Sequence, residues 1–176
     1  MKRFNPLVLA VQVALLACGV AQAATLRVAN QGDATSMDPH SLNESLQLSI
    51  TGNVYEPLVG RDRKLGLEPA LATKWKQTSP TVWRFELRKG VTFHDGTPFT
   101  ADDVVFSFQR ASGDSSDMKS YTSSFKEVRK VGDLAVEIET RTPFPILPDV
   151  ISLVFMMNKK WCEDNKALTP VDRRKG

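Results

Sequence analysis

Cysteine, histidine and long apolar runs are all scarce in this 176-residue chain, which has two of each of the first two. A metal site needs three or four convergent ligands, and His40, His94 and Cys162 are too few and too scattered in sequence to supply one. No segment is apolar for long enough to cross a bilayer. The sequence has no Gly-x-Ser-x-Gly elbow, no His-Glu-x-x-His pair and no phosphate-cradling glycine loop, so no nucleophile–base arrangement or cofactor is implied. Repeats and low-complexity linkers are also missing. Gly113 to Asp117 lacks the alternating acids and closing Glu of a calcium loop.

What is present begins with a leader. Lys2 and Arg3 precede Leu7–Leu16, an apolar run broken only by Gln12, and Ala21-Gln22-Ala23 supplies small residues where a signal peptidase reads. Residues 1–23 are therefore read as an export signal cut after Ala23, which places the mature protein in the periplasm. Leu15-Leu16-Ala17-Cys18 resembles a lipoprotein cleavage site, the alternative in which Cys18 is lipidated and tethers the protein. The small-residue pattern and the short apolar stretch after Cys18 favour soluble export. Removing the leader takes two basic residues from 23 and no acidic ones from 20, leaving 21 against 20. That near balance offers no basic stripe to grip a polyanion, which excludes nucleic acid as an expected partner. One mature cysteine, Cys162, cannot form an internal disulfide, so stability must come from a packed core. The 41% hydrophobic content can supply one.

Periodicity gives a mixed α/β order. Thr25 to Asn30 alternates with Leu26 and Val28 on one face, predicting a strand. Glu44 to Tyr55 predicts a helix with Leu46, Ile50 and Val54 inward, ended by Pro57. Leu67 to Ala72 predicts a short helical turn leading to Trp75. Trp83, Phe85 and Leu87 alternate with charged residues and predict a half-buried strand. Asp95-Gly96-Thr97-Pro98 predicts a turn. Thr100-Ala101-Asp102-Asp103 predicts a capped helix start whose buried face is Val104, Val105 and Phe108. Gly113 to Ser124 predicts a polar loop, and Gly132-Asp133 joins two further strands with Val136 and Ile138 inward.

Four segments in register carry a resemblance. They are Ser36-Met37-Asp38-Pro39-His40, Tyr55-Glu56-Pro57-Leu58-Val59, Glu68-Pro69-Ala70-Leu71-Ala72-Thr73-Lys74-Trp75, and the long stretch from Leu87 to Val104 containing His94-Asp95-Gly96-Thr97-Pro98. Together they resemble the extracellular solute-binding proteins of family 5, the peptide- and nickel-binding class. The resemblance implies a type II periplasmic binding protein-like fold, with two lobes and a small inserted domain. It implies that residues 24–42 begin the first lobe, that residues 43–176 form most of the inserted α/β domain, and that the second lobe is not in this chain. It implies a non-enzymatic component of an ABC importer, a peptide as ligand with nickel, a glycan, an opine or glutathione as the alternatives, and a membrane permease as partner. Ligand contacts carried over by position fall on Asn43, Glu44 and Ser45, where backbone pairing with an extended peptide is expected, and on Met118 with Tyr121 nearby. Met118 stands where some relatives have an aromatic. His94 and His40 are expected to support loops, and helix capping by Asn43 is the competing explanation of that residue.

Overall fold

The computed structural model describes Thr25 and residues 27–171. Residues 1–23, expected to be the export signal, lie outside the described residues, and Cys18 with them. The chain divides into two compact units, residues 1–31 and 32–176. In the first, the described residues are exposed and form no strand, correcting the strand expected over Thr25–Asn30. A strand exists through ladder bonds to a neighbour. Here the described residues show only a local bond from the Gln31 N–H to Asn30 Oδ1, and Val28 is 77% exposed.

The second unit is built on a four-stranded antiparallel sheet and the helix that crosses it. Its strands are β1 (Val59–Arg61), β2 (Leu67–Pro69), β3 (Ala72–Ser79), β4 (Val82–Leu87), β5 (Phe125–Lys130) and β6 (Ala135–Thr140). The larger sheet runs β3-β4-β6-β5, while β1 and β2 form a separate antiparallel pair. Alternation decides which face of the sheet is buried. Phe85 stands opposite Val136, and Trp83 and Val128 both stand opposite Ile138. Phe85, Val136 and Ile138 are fully buried. The outward residues between them carry the charges: Glu137 pairs with Arg129 and Arg84, and Glu139 with Lys126. Gly132 turns β5 into β6 at φ 101°, a conformation that glycine adopts without strain.

The helices are α1 (Ser45–Thr51), α2 (Ala101–Ala111), α3 (Lys119–Thr122), α4 (Leu147–Ile151) and α5 (Lys159–Asp164). The α2 start fulfils its expected cap. Asp103 Oδ2 accepts from the Thr100 N–H at 2.8 Å and from the Thr100 hydroxyl at 3.0 Å. The expected face of Val104, Val105 and Phe108 is too narrow, because α2 is covered on two sides. Val104 and Phe108 meet the sheet, where Phe108 packs edge-on against Phe125 at 5.4 Å. Phe106 instead packs with Met157 and Cys162. Ser107 fastens that second side by accepting from the Met157 N–H at 2.8 Å.

Three further expectations are corrected. The stretch Leu67 to Ala72 is not a helical turn but strand β2, a bend at Ala70 and Leu71, and the start of β3. Its helix-favouring composition is overridden because β2 pairs with β1 and β3 with β4. α1 is shorter than Glu44–Tyr55 and is rotated: Gln47 and Thr51 are buried, while Val54 lies beyond the helix and is 44% exposed. The cause is the neighbouring segment, since Gln47 Nε2 donates to the Ser36 carbonyl. Within the loop expected over Gly113–Ser124 lies the single turn α3, held by buried Ser116, Met118 and Thr122.

Candidate functional site

The carried-over residues converge on one surface, Met118 excepted. Glu44 is extended, at φ −143° and ψ 139°, and it, not Asn43, caps α1. Its carboxylate accepts from the N–H groups of Leu46 and Gln47, both at 3.1 Å. Asn43 is thereby released from capping and accepts instead from the Tyr121 hydroxyl at 3.2 Å, across 78 positions of sequence. Asn43, Glu44 and Ser45 are exposed and Tyr121 is half-buried. Among the described residues, no backbone hydrogen bond engages the Asn43 N–H or carbonyl. Met118 is fully buried in the core and presents nothing to a ligand there. Its place just before α3 makes it the anchor of the turn that carries Tyr121.

Below this surface lies a buried polar cluster that sequence reasoning missed. Arg110, on the last turn of α2, meets Asp38 through two parallel bonds, Nη1 to Oδ1 at 2.7 Å and Nη2 to Oδ2 at 2.8 Å. Its Nε donates to the Ala167 carbonyl at 3.0 Å and Nη2 also to the Thr169 carbonyl at 3.1 Å. The remaining Nη1 hydrogen faces His40 Nδ1 at 3.2 Å. All five guanidinium N–H groups are thus used. Arginine cannot accept, so His40 Nδ1 must be the acceptor, and the proton sits on Nε2, which donates to the Phe155 carbonyl at 3.0 Å. Burial, then the adjacent guanidinium, push the His40 imidazole down to about 4. Burial raises the Asp38 carboxyl, but Arg110 and the His40 and Val171 N–H groups outweigh it and hold it below the usual value.

The DGTP turn proves structural. Asp95 Oδ1 accepts from the Thr97 N–H and hydroxyl, which hold its carboxyl below the usual range, and Gly96 takes φ 83°. Asn158 bridges this turn to α5: Nδ2 donates to Asp95 and Thr97, while Oδ1 caps the helix at the Trp161 N–H. His94 is exposed at the same turn. A cleft of about 280 Å³ opens there between Tyr55, Phe93, His94, Met157 and Trp161, and none of the carried-over residues lines it. Cys162 at its base is buried, and burial pushes its thiol up, away from thiolate reactivity. Among the described residues no three His, Cys, Asp or Glu side chains cluster as a metal site requires, and no helix is long and apolar enough to cross a membrane.

Residues 66–172 match the bacterial extracellular solute-binding proteins, family 5, over the part described as its middle region. The chain belongs to that family. It is 36% identical over 114 residues to the glutathione-binding protein GsiB of Pectobacterium atrosepticum, covering 62% of this chain and 22% of that one. It is 36% identical over 92 residues to the periplasmic oligopeptide-binding protein OppA of Escherichia coli, covering 52% of this chain and 17% of that one. The fold matches that of Haemophilus influenzae OppA, solved in complex with RPPGFSPFR, at a TM-score of 0.71 and 23% identity, over 74% of this chain and 30% of that one. The fold class is therefore that of the periplasmic binding proteins, with mixed α/β content. The chain spans less than a third of the length of each of these relatives.

Proposed function

We propose that this chain is the N-terminal part of the substrate-binding component of an ABC importer, which captures di- and oligopeptides in the periplasm and delivers them to the membrane permease. One observation carries the ligand class: the backbone at Glu44 is extended, and Asn43 before it is exposed and unpaired in its backbone, beside a tyrosine. An extended peptide can pair with such a backbone whatever its side chains, which is how one site accepts many sequences. Asn43, Glu44, Ser45 and Tyr121 form the contact surface, and Met118 acts only by holding α3. The named ligands of the relatives support the reading, since glutathione is itself a tripeptide. Residues 1–23 are the export signal, cut after Ala23, with Cys18 discarded. Residues 24–42 open the first lobe and residues 43–176 form most of the inserted domain. In the whole protein two lobes close on the ligand by hinge motion.

Calorimetric titration of the full-length protein with trialanine, RPPGFSPFR, reduced glutathione and nickel(II) tests the ligand class. Micromolar or tighter binding of at least one peptide is expected. Binding of nickel alone, or release of cleaved peptide, would overturn it.

A further inference from the structure

Arg110 sits 70 or more positions from Asp38 and His40, and 57 or more from Ala167 and Thr169, yet it bonds all four. Asp38 Oδ2 also accepts from the Val171 N–H at 3.1 Å. The guanidinium therefore ties two chain segments, 38–40 and 167–171, to the end of α2. The first of these leads directly into the candidate contact surface. Between the two lie a Ser41 N–H donated back to the Asp38 carbonyl, and His40 itself, whose carbonyl accepts from Ser116 Oγ and the Asp117 N–H. Ser116 and Asp117 in turn lead into the turn that carries Tyr121. The two halves of the contact surface, Asn43–Ser45 and Tyr121, thus hang from a single buried pin.

We infer that Arg110 is a positioning residue for ligand: through Asp38 and His40 it sets the register of the Asn43–Ser45 backbone against Tyr121, without touching the ligand. This rests on the peptide-pairing reading given above. Arg110 is not one of the side chains that make up the packed core with Phe85, Phe108 and Ile138. Lysine at 110 keeps a charge for Asp38 but cannot reproduce the forked geometry or reach both outgoing carbonyls.

The test compares full-length wild type with Arg110→Lys and Asp38→Asn. Each is titrated with trialanine, RPPGFSPFR and reduced glutathione, and amide hydrogen exchange is followed in parallel. Both variants are expected to bind about tenfold or more weakly. Exchange should quicken at residues 38–45, 116–121 and 167–171 while β4 and β6 stay protected. A purely structural part for Arg110 would instead quicken exchange throughout the unit, and that result overturns the inference. So does an Arg110→Lys protein that binds within twofold of a wild type that does bind. Wild type that binds none of the three peptides overturns the peptide reading itself, and this inference falls with it.

Discussion

The sheet–helix core and the Arg110 cluster hold the same unit together by opposite means. The core is apolar, with Phe85, Phe108, Val136 and Ile138 fully buried, and its stability is spread over many small contacts. The cluster concentrates its contribution in one guanidinium, one carboxylate and one imidazole, every donor of which must be met. Spread-out apolar packing tolerates change of pH and fails by volume. A buried polar network tolerates small changes of volume and fails by protonation. The difference can be measured.

The largest effect is expected in the core. Phe108→Ala removes a ring packed against Phe125 and leaves a cavity between α2 and the sheet, a change that costs about 4 kcal/mol in comparable sites. Urea unfolding at pH 8 and at pH 5.5 should give the same loss at both. A loss that depended on pH would break the division between the two regions.

Next comes the cluster. The free histidine of the unfolded chain takes up a proton near pH 6.5, whereas His40 in the folded state resists it down to about 4. Its stabilisation is complete above pH 6.5 and is lost as pH falls through that window, by up to about 3 kcal/mol. Asp38, held below its usual value, adds a further loss only at lower pH still. The groups facing the imidazole are the Arg110 guanidinium, the Asp38 carboxylate and the Phe155 carbonyl, and a protonated Nδ1 would meet the guanidinium head-on. His40→Gln should flatten the stability curve between pH 6.5 and 4. A curve that stays as steep would place the titrating group elsewhere.

The same contrast explains what the sequence made legible. β4, the β5–β6 hairpin, the DGTP turn and the capped start of α2 are legible in the sequence, because each depends on neighbours within a few positions: alternation, a glycine, a hydroxyl before acids. The larger corrections depend on distant partners. Leu67 to Ala72 carries helix-forming residues, and pairing of β2 with β1 and of β3 with β4 makes its two ends extended instead. The inward face of α1 is set by the Ser36 carbonyl, not by the spacing of Leu46, Ile50 and Val54. Arg110 gave no local signal at all, as a single basic residue near a helix end most often lies in solvent. Its aspartate lies within the Asp38-Pro39-His40 motif, but nothing in the spacing joins the two. The bond that joins Asn43 to Tyr121 across 78 positions, the burial of Met118 and the capping by Glu44 all needed three dimensions.

A smaller effect separates local capping from both regions. Thr100→Ala removes the hydroxyl that donates to Asp103 while leaving the Thr100 N–H bond in place. About 1 kcal/mol is expected, with little dependence on pH above 5. A loss as large as that of Phe108→Ala would mean that the α2 start carries strain from the Asp103 bond to the Lys159 N–H, which ties the same carboxylate to α5.

The smallest change in stability is expected where the functional claim is sharpest. Tyr121→Phe deletes one hydroxyl, and with it the bond to Asn43 Oδ1, on a surface where water can take its place. Both partners keep their packing, since the Tyr121 ring rests on the core through its apolar part. Stability should therefore fall by less than about 1 kcal/mol. Affinity is a separate matter, because the hydroxyl fixes the Asn43 side chain beside the backbone proposed to pair with ligand. In the full-length protein a loss of severalfold in peptide affinity is expected, without the wider loosening that Arg110→Lys brings. If affinity were untouched while Asn43→Ala reduced it, the tyrosine would be a bystander and the backbone edge alone the contact. If neither change mattered, the contact surface would have to be sought elsewhere in the unit, and the cleft beside Trp161 would be the next place to mutate.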